Sequence, residues 1–198
     1  MKIFSSFLLL VTISCTTKSE DIKFNFDEFI ISKLNDSTAL FIQYSMRKDF
    51  SKCSEISQAI VKIDVGNLSI DDNGDKYLAY LGNYITPFLN SSNEVLKLGI
   101  YLKYKYNLKN SLFDQILRES IRIENGNILA LYLLAQLRFY AGYEEDSFYI
   151  ISIIKDIEPA NSEITRLYEE FRNKLGEQPV KPESFEEYLK KNYYYLKE

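Results

Sequence analysis

Histidine and tryptophan are absent from this sequence of 198 residues, and only two cysteines are present. Without histidine, the chain cannot form a Ser-His-Asp or Cys-His catalytic group, nor bind zinc or iron through imidazole. Its acidic residues often occur as adjacent pairs, such as Glu144 with Glu145 and Glu169 with Glu170. Adjacent side chains diverge around a helix and do not face one substrate. We therefore expect no enzyme activity, no cofactor and no metal site.

Glycine and proline are scarce, with seven and four residues, whereas 46% of the residues are hydrophobic. This composition is typical of a globular domain and not of a disordered tail. The formal net charge is −4. Because affinity for nucleic acid comes largely from the neutralisation of phosphates by basic side chains, we expect no nucleic-acid partner.

The chain begins with a basic residue, Lys2, and an apolar stretch from Ile3 to Ile13, with Cys15 shortly after it. This layout is typical of a secretory signal peptide, and the stretch is too short to span a bilayer as a helix. Residues 11–15, VTISC, resemble the lipobox of bacterial lipoproteins, whose cysteine receives a diacylglyceryl group and becomes the new N-terminus. The resemblance implies a signal peptide at 1–14 and lipid on Cys15. The alternative is an ordinary signal peptide that happens to contain a cysteine.

A lipid on Cys15 would hold the exported protein in the cell envelope. More than one acyl chain gives stable attachment, at about 0.8 kcal/mol per buried methylene. Thr16 stands where some bacteria use aspartate to retain lipoproteins in the inner membrane, so we expect the outer membrane, on its periplasmic or its surface face. Residues 15–23 are polar and predict a tether that reaches at most ~30 Å, at about 3.5 Å per residue. Cys53 would then have no disulfide partner, and its place in a helical pattern predicts a small buried residue.

Apolar residues recur at helical spacing along the rest of the chain, and no segment alternates convincingly at a period of two. We therefore predict an all-α fold. Residues 24–93 are expected to form N-terminal helices, at about 27–34, 37–47, 51–63 and 75–88, with an irregular loop near 64–74. Helices are then expected at about 94–106, 111–123, 128–140, 144–156 and 162–175, followed by a linker at 176–183 and a C-terminal helix within 184–198. Two capping boxes support these boundaries, Ser91 with Glu94 and Ser184 with Glu187.

The irregular loop contains residues 71–75, DDNGD, which superficially resemble a calcium-binding loop. The EF-hand frame that places its glycine at Gly74 puts Ser69 first and Tyr80 last, where an aspartate and a glutamate are needed. An acidic turn that caps the next helix is the better interpretation.

A repeat with a period of 34 residues runs through the second half of the chain. Residues 123–127 read IENGN, residues 157–161 read IEPAN, and a fainter copy, LNSSN, lies at 89–93. Two-helix repeats of this length are the signature of tetratricopeptide (TPR) arrays, which stack because no helix pair can bury its apolar face alone. The alternative is an irregular helical bundle.

The second unit resembles the TPR pattern best. Leu131, Leu134, Ala135 and Arg138 stand where the family has W-x2-L-G-x2-Y, Ser147 and Ile151 replace the A-x3-F pair, and Pro159 matches the closing proline. The first unit has Lys97, Ile100, Tyr101 and Tyr104, then Phe113, Leu117 and Asn125, at these places. The resemblance covers residues 94–175 and implies antiparallel helix pairs stacked as a short right-handed solenoid.

In a TPR array the first helix of each pair lines a concave groove that binds peptides. By resemblance this face carries Leu98, Leu102, Lys105 and Tyr106 in one unit and Tyr132, Gln136, Phe139 and Tyr140 in the next. The last four lie on one stripe of a helix, and aromatic side chains suit peptide recognition. The candidate partner-binding residues are therefore Tyr106, Tyr132, Gln136, Phe139 and Tyr140; the alternative for each is core packing. The C-terminal helix is expected to dock on the last repeat as a cap.

These features favour a membrane-anchored helical lipoprotein that acts as a protein–protein interaction scaffold in the cell envelope. Its partners would be the membrane, through Cys15, and an unidentified protein or peptide. The first alternative is a surface-exposed lipoprotein that binds an external or host ligand. The second, with less support, is a small-ligand receptor or an enzyme.

Overall fold

The structure, a computed structural model, describes residues 22–63, 88, 90–179 and 184–190. Every regular element in these residues is helical, which confirms the all-α prediction. Several predicted features lie outside the described residues. They are the predicted signal peptide with Cys15, the predicted loop with its calcium-like sequence, most of the helix predicted at 75–88, and residues 191–198. The helices are α1 Phe26–Ile30, α2 Ser37–Met46, α3 Phe50–Ile56, α4 Gln58–Val61, α5 Ser92–Tyr106, α6 Asn110–Ile123, α7 Ile128–Tyr140, α8 Glu144–Ile157, α9 Ser162–Leu175 and α10 Phe185–Lys190, with a 3-10 turn at Ile31–Lys33.

The five helices from α5 to α9 begin and end within two residues of their predicted positions. Side chains cap the N-termini of α5, α7 and α9, whereas α6 and α8 have no side-chain cap. Ser91 Oγ accepts a hydrogen bond from the Glu94 N–H at 3.3 Å, as the predicted capping box requires. Ser184 Oγ accepts from the Glu187 N–H at 3.0 Å at the start of α10. These caps satisfy N–H groups that have no partner within the helix.

The N-terminal helices are shorter than predicted. The predicted helix at 27–34 passes into the 3-10 turn after Ile30, and the one at 51–63 is divided by Ser57, whose backbone is extended. Aspartates cap α2 and α3: Asp36 accepts from the Thr38 N–H at 2.7 Å, and Asp49 accepts from the Lys52 N–H at 3.4 Å. The helices therefore begin at or just before Ser37 and Ser51, where the sequence predicted their starts.

From α5 to α9, each helix packs against the next one in the chain. The 34-residue period of the sequence is also the period of the helix boundaries: α6 and α8 begin 34 residues apart and end 34 apart, and α7 and α9 begin 34 apart. Asn127 and Asn161 are equivalent in this frame, and each caps its helix. The N-terminal helices pack on these helices, with α1 against α9 and α2 against α5.

The helices α5 and α6 approach closely at Gly99. A Cβ atom on Gly99 would lie 2.6 Å from Cγ2 of Ile116, whose side chain is itself buried. Phe113, which stands where a TPR helix has a small residue, is buried beside this contact. Gly99 therefore allows the close approach of the two helices, and it is not one of the positions that the sequence matched to the TPR pattern.

A buried ionic cluster joins α6, α7 and α10. Asp114 pairs with Arg118 at 2.8 Å and with Arg138 of α7, and Asp114 and Arg138 are fully buried. Burial raises the pKa of Asp114, against the two guanidinium charges. The Arg118 Nη1–H also donates to the Leu189 carbonyl at 2.7 Å. These contacts hold α10 against α6 of the first repeat unit, with Tyr188 edge-on to Tyr149 of α8. The sequence predicted docking on the last repeat instead.

Candidate interaction groove

The structure brings four of the five predicted partner-binding residues together on α7. Tyr132 is fully buried, Gln136 and Phe139 are half-buried, and Tyr140 is 64% exposed. The neighbouring helix α9 contributes Phe171, whose ring lies 5.7 Å from that of Phe139, as well as the buried carboxylate of Glu163. We call this surface of α7 and α9 the aromatic groove; its residues are Tyr132, Phe139, Tyr140, Glu163 and Phe171.

Tyr106 lies apart from this groove, at the end of α5. Its hydroxyl donates to the Ile63 carbonyl at 3.3 Å, and its ring packs edge-on against Tyr101. The Lys105 ammonium lies 4.8 Å from the Tyr101 ring centroid and 5.3 Å from that of Tyr106, within cation–π range. Tyr106 thus connects α5 to Ile63, which follows α4. Leu98 and Leu102, on the same predicted face, are fully buried in the core.

The aromatic groove is covered by the chain's own N-terminal segment, residues 22–30. The Phe29 ring stacks on Tyr132 with centroids 4.0 Å apart and planes 7° apart. Phe24 meets the same tyrosine edge-on at 5.5 Å, and Phe26 lies 6.0 Å from it. Phe24 also lies 5.7 Å from Phe139. Tyr132 is buried because the rings of the N-terminal segment cover it.

Polar side chains of α9 and its cap bind the backbone of the N-terminal segment. The Asn25 N–H donates to Glu163 Oε1 at 2.7 Å. The Phe29 carbonyl accepts from the Asn161 amide at 3.2 Å, and the Lys23 carbonyl accepts from the Arg166 guanidinium. These bonds recognise main-chain atoms and so do not depend on the side chains of the segment.

Glu163 is the polar centre of the groove. Its Oε1 accepts from the Tyr132 hydroxyl at 3.1 Å as well as from Asn25, and its Oε2 pairs with Arg166 at 2.8 Å. Burial raises the pKa of the Tyr132 phenol, and the negative charge of Glu163 raises it further. A fully buried carboxylate needs such partners, because an unpaired one would be costly to desolvate.

One edge of the groove remains open to solvent. Tyr140 lies 6.2 Å from Phe24 and 5.4 Å from Phe139. Beside it is a cleft of about 520 Å³ between the N-terminal segment, α2 and Gln136 of α7. Its wall includes Asp27 and Arg47, which form an exposed ion pair at 3.7 Å. This edge offers aromatic and polar groups to an external partner.

The sequence did not indicate Glu163, Arg166, Asn161 or Phe171 as site residues. Glu163 and Arg166 are spaced as an ordinary exposed helix ion pair, and nothing local distinguishes them from one. A usable signal was the aromatic spacing of residues 24–29, FNFDEF, close to the predicted tether. Aromatic residues so near a polar tether indicate a segment that docks elsewhere on the protein.

Cys53 is fully buried, as predicted. Its Sγ lies 3.3 Å from Ser45 Oγ, and burial raises the pKa of the thiol. Among residues 22–63, 88, 90–179 and 184–190, no group of three or more cysteine or acidic side chains is placed to hold a metal ion. In the same part of the chain, no helix combines the length and apolar character needed to cross a bilayer.

Comparison of the chain with protein-family models, with curated proteins and with solved structures gives no match.

Proposed function

We propose that this protein is a lipid-anchored helical scaffold of the cell envelope, which holds a protein or peptide partner on a short TPR-like solenoid. The anchor is lipid on Cys15, after removal of residues 1–14, in the outer membrane. The partner-binding surface is the aromatic groove with its open edge at Tyr140 and Gln136.

The anchor is supported by the lipobox-like sequence and by its position relative to the folded body. The described body begins at Ile22, which is 3% exposed, only seven residues after Cys15. At about 3.5 Å per residue, this connection spans at most ~25 Å. A lipid on Cys15 would therefore hold the groove close to the bilayer surface.

The TPR-like arrangement is supported by the coincidence of sequence period and helix period. Equivalent helices begin 34 residues apart, and equivalent asparagines cap two of them. Asn127 also joins successive units, since its amide donates to Ser92 Oγ at 2.7 Å and to Asn93 Oδ1 at 3.1 Å. In a solenoid of helix pairs, α5, α7 and α9 are the first helices, and these are the helices that α1 and α2 cover.

The observation that carries the scaffold function is the aromatic groove itself. It combines a solvent-exposed tyrosine, a cleft lined by charged and aromatic residues, and the buried carboxylate of Glu163, which binds a main-chain N–H. Exposed aromatic residues provide large contact areas with few rotors to immobilise, as protein interfaces require.

Cross-linking and pull-down from membranes of the native cell test this function. The variant combines Tyr140→Ala with Gln136→Ala, two changes at the open edge that leave the buried core intact. The matched control is Ile157→Ala, which removes a side chain that is 45% exposed at the end of α8. We expect the double variant to lose a partner that the wild type and the control retain. Retention of every partner by the double variant would contradict the assignment of this surface.

A further inference from the structure

The N-terminal segment occupies the aromatic groove in the manner of a bound peptide. It contributes Phe24, Phe26 and Phe29, at positions i, i+2 and i+5, to the aromatic contacts with α7. The segment precedes the rest of the described chain in sequence. The helices that it contacts, α7 and α9, follow it by more than a hundred residues. The contact is therefore long-range and resembles recognition between separate chains.

The polar contacts are also those of a peptide site. Side chains on or next to α9 satisfy two carbonyls and one N–H of the segment, through Arg166, Asn161 and Glu163. Recognition of main-chain atoms does not depend on the identity of the side chains, while pockets for particular side chains supply specificity. Here the specificity comes from the rings of Tyr132, Phe139 and Phe171, against which Phe24 packs.

The segment is attached to the rest of the body at one end. After Ile30 it continues into the 3-10 turn Ile31–Lys33, where Ile31 is 68% exposed, and reaches the start of α2 at Ser37. The connection to α2 thus runs over the surface. A peptide that replaces the segment must fill the places of Phe26, Phe29 and Ile30, which are buried in the core.

We propose that the aromatic groove is a peptide-binding site whose resident occupant is the N-terminal segment, and that a partner segment with aromatic residues at i, i+2 and i+5 takes its place. The inference rests on the proposed function, since that partner is the one the scaffold would hold. Because the resident segment is part of the same chain, it competes at the high effective concentration of a tethered ligand. That competition sets the affinity and concentration that a partner needs in order to displace it. Release would also extend the connection between Cys15 and the body to at most ~75 Å, at about 3.5 Å per residue up to α2.

A peptide titration tests the proposal. The probe is a fluorescein-labelled peptide of residues 20–33. It is titrated with the mature full chain and with the Phe24→Ala/Phe26→Ala variant of that chain. The apparent affinity of a site decreases when the site is open in a smaller fraction of the molecules. The two substitutions weaken the docking of the resident segment in the groove. We therefore expect the double variant to bind the probe with an affinity roughly tenfold or more higher than that of the wild type.

Two controls make the result specific. Phe185→Ala removes a half-buried ring that stacks on Tyr188 in α10, far from the groove, and is expected to bind the probe as the wild type does. A probe with alanine in place of its three phenylalanines is expected not to bind the double variant. Equal affinity of wild type and double variant, or equal binding of both probes, would overturn the proposal.

A second variant covers the case in which the double variant does not fold, as judged by its helical circular dichroism. Phe24→Ala alone removes a half-buried ring at the groove edge, and we expect the same gain in affinity by a smaller factor. Absence of that gain would also overturn the proposal. If peptide exchange fails while the membrane pull-down succeeds, this inference is wrong and the scaffold function stands.

Discussion

The ring of Phe29 lies flat on the ring of Tyr132, with centroids 4.0 Å apart, and both side chains are fully buried. One residue belongs to the short helix α1 and the other to α7, the middle one of the five helices α5 to α9. This stack shows that the first described residues of the chain are part of its core.

Phe29→Ala is expected to destabilise the protein by roughly 3–5 kcal/mol, because it leaves a cavity over Tyr132. The matched control is Ile31→Ala, two residues away in a side chain that is 68% exposed, with an expected change within about 0.5 kcal/mol. Urea unfolding followed by circular dichroism measures both. Similar unfolding midpoints for the two variants would show that the segment does not dock on α7.

The stability of the protein is expected to fall in alkali through Tyr132. The pKa of this phenol is raised in the folded protein, whereas the ordinary value is 10.0. Its contribution is complete below pH 10 and is lost as the pH rises further, because the unfolded state then releases a proton that the folded state keeps. The free energy of unfolding should decline with pH more steeply than in Tyr132→Phe, by up to about 1.4 kcal/mol per pH unit.

Urea titrations of wild type and Tyr132→Phe between about pH 9 and about pH 11 provide this comparison, since the ordinary phenol titrates in that range. Tyr101, Tyr104 and Tyr149 also have raised pKa values through burial, but they contribute equally to both proteins. Parallel pH profiles for the two proteins would mean that the Tyr132 hydroxyl ionises without unfolding and that its contact with Glu163 is weak.

The sequence predicts the repeat helices well and the N-terminal contacts poorly, for a physical reason. Helices α5 to α9 have long apolar stripes, and α5, α7 and α9 also have side-chain caps. Both signals are local. The place of Phe24 is decided by Tyr132 and Phe171, which are distant in sequence, so no local pattern indicates it. Helical spacing correctly put Tyr132, Gln136, Phe139 and Tyr140 on one stripe, but spacing alone does not reveal what covers that stripe.

The ionic cluster around Asp114 provides a test of the core. Asp114→Asn should destabilise the protein by roughly 3–5 kcal/mol, because Arg118 and Arg138 would lose the buried charge that compensates theirs. The control on the same helix is Glu119→Gln, which breaks an exposed pair with Arg122 and should cost less than about 1 kcal/mol. Hydrogen exchange should also show faster exchange in α10, which Arg118 holds through the Leu189 carbonyl. Unchanged stability would mean that the cluster is dispensable.

Gly99→Ala is expected to destabilise the contact between α5 and α6. The new Cβ would lie 2.6 Å from Cγ2 of Ile116, so the helices must separate, at a cost of about 1–3 kcal/mol. The gain in helix propensity, up to about 1 kcal/mol, offsets only part of this cost. Gly126→Ala is the control, since nothing lies within 4 Å of its added Cβ. A thermal midpoint for Gly99→Ala at or above that of the control would refute the close approach.

Lipid on Cys15 is the central claim of the proposed function, and mass spectrometry of the N-terminus tests it most directly. The protein is purified from membranes of its native cell in detergent, next to a Cys15→Ser variant. We predict that the wild-type chain begins at Cys15 with a diacylglyceryl group, and that the variant lacks this group and is no longer held in the membrane. An unmodified Cys15, or a chain that still carries residues 1–14, would contradict the claim.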